Sequence, residues 1–147
     1  MGAHPYWYFV PYQKDINKAL QELRQREFKA GRYNPVMHFP EFPVDTTSPS
    51  IGAQHESIEE AMAAADADGT RSILDIATVE DEPDFCAAGP LTDEMLQEYF
   101  DTMEPSHEAV DDNMDFLEEI DRGHCVYIVV YKENKPDEIF FAGYSFD

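Results

Sequence analysis

The chain has 147 residues, 43% of them hydrophobic, with 31 acidic against 10 basic residues and a formal net charge of −21. That length suits one domain, expected over 1–147, and the apolar content is too high for a disordered chain, so a globular fold with its own core is predicted. The charge disfavours nucleic acid, anionic lipid and polyanionic substrates as partners, and no run of eighteen apolar residues is present to span a membrane.

Met1-Gly2-Ala3-His4-Pro5 lacks the basic and apolar regions of a secretory signal, and Tyr6 stands where a myristoylation signal carries Ser or Thr. A cytoplasmic location is therefore the expectation. Tyr6-Trp7-Tyr8-Phe9-Val10-Pro11-Tyr12 is aromatic and β-branched on both parities, which predicts a strand covered on both faces. Asp15 is placed to cap a helix whose stripe is Ile16, Ala19, Leu20 and Leu23, and Gly31 to end it. Pro35, Pro40, Pro43 and Pro49 leave no regular element over 34–52. Its aromatic centre, Met37-His38-Phe39-Pro40-Glu41-Phe42-Pro43, is expected to lie against the fold as an extended cover.

Ser57 caps a second helix carrying Ile58, Ala61, Met62 and Ala65, which should stop near Asp68-Gly69. Ser72 to Val79 reads as a strand, and Phe85 to Gly89 as its partner across the acidic turn between them. Thr92 caps a short helix with Met95, Tyr99 and Met103. Ser106 caps a longer one with Val110, Met114, Leu117 and Ile120, closed by Gly123. Cys125 to Tyr131 and Glu138 to Phe146 form a hairpin around Asn134-Lys135-Pro136-Asp137. Eleven of the nineteen aromatics lie in this hairpin and the first strand, so both termini should share one sheet. The expected fold is α+β: a mostly antiparallel sheet of about five strands with helices packed on one face.

Charge is divided unevenly along the chain. Residues 1–40 hold six basic and three acidic residues, +3, whereas 41–147 hold four basic and twenty-eight acidic, −24. The basic residues Lys14, Lys18, Arg24, Arg26, Lys29 and Arg32 are expected to pair with the acidic remainder of the protein. An anion or acidic-peptide contact is the alternative.

On a helical wheel Glu27 falls within the stripe of Leu20, Leu23 and Ala30. A carboxylate there is desolvated and needs a partner or a raised pKa, which makes it a candidate ligand-binding group. The competing reading is that the helix frays first, or that Glu27 reaches a neighbouring arginine. Asn113 lies between the directions of Val110, Leu117 and Ile120 and raises the same question: its partners are either a neighbouring loop or a ligand.

Asp66-Ala67-Asp68-Gly69 resembles a calcium loop only in part, because the first ligand position is Ala64 and the twelfth Asp75. Asp111, Asp112 and Asp115 read as a solvated helix face. Cys86 and Cys125 read as small buried thiols; Cys86 follows an acidic run that opposes a thiolate, and no C-x-x-C occurs. No metal site or cofactor is predicted, and no nucleotide-binding, hydrolase or metalloprotease motif is present.

Three functional readings follow, one of which takes the acidity as environmental adaptation of a solvated surface, with the function lying elsewhere. The first of the other two is an acidic cytoplasmic interaction domain of inhibitor, immunity or adaptor type that binds a basic protein, with the segment of His38, Phe39, Glu41 and Phe42 and the acidic helices after Thr92 as candidate partner surfaces. The second is a small-molecule-binding protein or enzyme with a pocket between the aromatic sheet and the 34–52 loop, served by Glu27 and Asn113.

Overall fold

The computed structural model describes residues 4–37 and 43–146. Strand β1 (Pro5–Pro11) leads to helix α1 (Ile16–Ala30), whose ends follow the capping residues of the sequence. The Asp15 carboxylate accepts from the Lys18 amide at 3.0 Å, and Gly31 turns the chain away at φ 77°. Helix α2 (Ile58–Ala65), capped by Ser57, precedes the short strands β2 (Thr78–Val79) and β3 (Ala87–Pro90). Helices α3 (Asp93–Phe100) and α4 (His107–Asp112) then lead to the long hairpin β4 (Cys125–Lys132) and β5 (Lys135–Tyr144).

The five strands form one sheet in the order β1-β5-β4-β3-β2. The terminal strands share this sheet, as the aromatic distribution suggested. Its pairing is not mostly antiparallel: β1–β5 and β5–β4 are antiparallel, but β4–β3 and β3–β2 are parallel, so the sheet is mixed. The expected hairpin between β2 and β3 does not form: the chain crosses over through 80–86, with Cys86 at φ 63°, and β3 runs parallel to the two-residue β2.

Helices are not confined to one face. Ala19, Leu20 and Leu23 of α1 pack with Tyr6, Tyr8, Val10, Ile139 and Phe141. On the opposite parity of the same strands, Val126, Ile128, Val130 and Phe140 pack with Val110, Phe116 and Leu117. Because strand side chains alternate, the two-sided aromatic run of β1 supplies both cores at once.

Three local expectations also change. The 72–79 segment begins as a 3-10 turn over Ile73–Asp75, because polar side chains take its backbone donors. Thr70 N donates to Asp75 Oδ1 at 2.7 Å, and Leu74 N to Ser72 Oγ at 3.2 Å. The helix after Ser106 ends at Asp112: Asn113 leaves helical geometry (φ −137°, ψ 89°), and a 3-10 turn follows over Asp115–Glu119. The hairpin turn falls on Glu133-Asn134, both at positive φ, as a two-residue turn between twisted strands prefers. Pro136 then sits in β5 beside an irregularity in the ladder.

The 43–56 stretch has no helix, but Val44 closes the free edge of β1: Trp7 N donates to Val44 O at 3.1 Å and Val44 N to Pro5 O at 3.2 Å. Among the described residues, no helix is long and apolar enough to cross a membrane.

Candidate functional site

Glu27 is completely buried in the last turns of α1. Its Oε2 accepts from Arg26 Nε at 3.0 Å and from Arg32 Nη1 at 2.8 Å, while Oε1 is enclosed without a hydrogen-bond partner. Burial raises the Glu27 pKa, and the Arg32 and Arg26 guanidinium groups offset only part of that shift. Arg32 also donates from Nε to Ser48 O at 3.0 Å, so the carboxylate holds an arginine that ties α1 to the following loop.

Asn113 is half-buried, and its Nδ2 donates to Tyr99 O at 2.7 Å, fastening the end of α4 to α3. Glu27 belongs to the α1 side of the sheet and Asn113 to the α3–α4 side. Neither lines the acidic groove or the clefts beside α1. His38, Phe39, Glu41 and Phe42 lie outside the described residues.

The two-sided packing turns the uneven charge of the sequence into a spatial division. Between residues 80 and 121 there are sixteen acidic side chains and no lysine or arginine. This segment contains β3, α3, α4 and the 3-10 turn after them, and its helices cover one face of the sheet. The six basic residues of 14–32 accompany α1 on the other face, which also carries carboxylates: Glu59 and Glu60 on α2, packed beside α1 through Ile58, Ala61 and Phe28, and Asp75. Of their expected pairing with the acidic remainder, Arg24 feels Glu59 and Asp75. The close ion pairs of this segment among the described residues are those of Arg26 in α1 and of Arg32 just beyond it with Glu27.

Within the acidic layer a groove of about 320 Å³ opens where the 80–84 loop, the start of α3 and the approach to β4 meet. Leu91, Met95, Ile120 and Val126 form an apolar floor, and Glu82, Glu119, Asp121 and His124 stand around it. Leu91 and Val126 are core residues, which fixes the floor to the sheet. The wall nearest β3 is set by Gly89, whose missing Cβ lets the Glu82–Pro83 peptide lie directly against the strand. Glu119 is oriented by the Tyr99 hydroxyl, which donates to its Oε2, and this bond pushes the Tyr99 pKa up to about 12.

Among the described residues, no lysine or arginine pairs with Glu82, Glu119 or Asp121. No sequence motif marked this groove. The signal that could have found it was the absence of any lysine or arginine from 80–121.

The Cys125 thiol is fully buried and its pKa is driven well up by desolvation; Cys86 is partly exposed, but burial and then Asp75 raise its pKa too. Among the described residues, no group of three His, Cys, Asp or Glu is placed to hold a metal ion. Comparison with family models, with curated proteins and with solved structures finds no match to this chain.

Proposed function

We propose that this chain is a protein-interaction domain, of inhibitor, immunity or adaptor type, whose acidic helical layer docks a basic partner protein. The observation that carries the reading is the 80–121 segment, with sixteen carboxylates and no lysine or arginine, whose helices α3 and α4 cover one face of the sheet. Self-repulsion in such a layer opposes folding, and a complementary basic surface relieves it while steering the encounter.

The test is affinity capture from the native organism's lysate at low salt, with two variants run in parallel. Asp111→Asn/Asp112→Asn/Asp115→Asn changes exposed acidic residues of the layer, and Lys18→Gln/Lys29→Gln changes the opposite face. The expected result is a basic protein that binds wild type and the lysine variant but is weakened by the aspartate variant. After identification, its affinity for the purified domain should fall as salt rises through 0.15 M, where the Debye length is about 8 Å. A captured protein that is insensitive to both salt and the aspartate changes would overturn the proposal.

A further inference from the structure

We infer that the groove lined by Leu91, Met95, Ile120, Glu82, Glu119 and Asp121 seats one arginine side chain of the basic partner. This rests on the docking reading above and names the anchor within it. The groove mixes two kinds of surface. A carboxylate-rich layer alone attracts any cation, but here three carboxylates surround a concave apolar floor.

A side chain that satisfies both parts has an aliphatic stem and a cationic tip, which restricts the choice to lysine and arginine. Arginine fits better on two counts. Its guanidinium presents five donors in a planar fork and can serve several carboxylates together, and it is more weakly hydrated than an ammonium, so it loses less on entering an apolar cleft. Glu119 is already held by Tyr99, so one acceptor is ordered before the ligand arrives. Among the described residues, no lysine or arginine pairs with the three carboxylates, although Arg122 is adjacent in sequence and His124 lines the groove.

The experiment titrates the isotopically labelled whole chain with N-acetyl-arginine methylamide and follows backbone amide shifts. The uncharged citrulline analogue and N-acetyl-lysine methylamide serve as comparison probes. Saturable shifts concentrated at Leu91, Ile120 and Asp121 are expected with the arginine probe, smaller ones with lysine and none with citrulline. Glu119→Gln/Asp121→Asn should weaken the arginine probe about tenfold, the loss of roughly one charge-assisted hydrogen bond. Both positions are exposed, and an unchanged melting temperature verifies that the variant remains folded.

Glu108→Gln/Asp112→Asn, on the same layer but away from the groove, should leave the titration unchanged. An equal response to citrulline, a response to lysine as strong as to arginine, or shifts spread evenly over the acidic layer would each overturn the inference. Partner capture separates this failure from that of the docking proposal. If the captured basic protein still depends on the acidic layer but the arginine probe does not seat, the groove assignment is wrong and the docking face stands.

Discussion

Replacing Gly89 with alanine tests how the acidic loop is held against the sheet. Gly89 pairs with Val126 in the parallel β3–β4 ladder. A Cβ added there would lie 2.2 Å from the carbonyl carbon of Glu82, 2.2 Å from Pro83 N and 2.6 Å from Pro83 Cδ. Ordinary contact begins near 3.4 Å, so the 82–83 peptide must retreat by more than an ångström. Gly89 is not at positive φ, which leaves steric overlap as the cause.

Overpacking costs about 1–3 kcal/mol, and the upper end applies because the opposing atoms are backbone and cannot rotate aside. Reduced freedom of the unfolded chain returns about 0.4–1 kcal/mol for Gly→Ala, leaving a net loss near 2–2.5 kcal/mol. For a chain of this size that lowers the melting temperature by roughly 4–10 °C. Thermal and urea unfolding followed by circular dichroism measure it.

Gly52→Ala provides the contrast, since a Cβ there meets nothing within 4 Å while the residue sits at φ 91°. It should show backbone strain alone, about 1–2 kcal/mol. A Gly89→Ala protein that melts within about 2 °C of wild type would refute the steric reasoning. It would also remove the account of the groove wall.

At Glu27, burial raises the pKa despite two arginine partners, so the neutral isostere should be tolerated: Glu27→Gln is expected within about 1 kcal/mol of wild type at pH 7. Glu27→Ala, which also opens a hole at a fully buried position, should cost about 2–4 kcal/mol. A raised carboxyl pKa favours the folded state below the unfolded value and loses that contribution as pH rises through the folded one. Wild type should therefore gain on Glu27→Gln in urea titrations as pH is lowered from 7 towards 4; the opposite trend would show that the arginines outweigh burial. Thiol labelling of the native protein should modify Cys86 slowly at pH 7 and faster as pH rises, and reach Cys125 only after unfolding. Rapid native labelling of Cys125 would contradict its burial.

Sequence reasoning located the elements whose boundaries are written in local chemistry. Asp15, Ser57, Thr92 and Ser106 each cap the helix expected of them, and Gly31 ends α1 at positive φ. It failed where side chains compete with the backbone. Thr70, Ser72 and Asp75 draw the 72–75 backbone into a turn, and Asn113 breaks a helical periodicity that Leu117 and Ile120 continue in the sequence.

The parallel pairing of β2 and β3 is preceded by a left-handed Cys86, a residue type that gives no warning of that conformation. Glu27 was identified correctly as buried, with the arginine partnership among the readings considered. The groove was not legible because Glu82, Leu91 and Asp121 become neighbours only when the sheet is assembled.

The division of charge across the sheet also gives the molecule an orientation. A helix is about 10–12 Å across, so helical layers on opposite faces of a sheet are separated by more than the ~8 Å screening length of physiological salt. A charged surface meeting one face therefore senses little of the other. On an anion-exchange resin the protein should adsorb through the 80–121 layer and leave α1, with Lys18 and Lys29, turned towards solvent. The same polarity would let an immobilised basic surface hold every molecule the same way up.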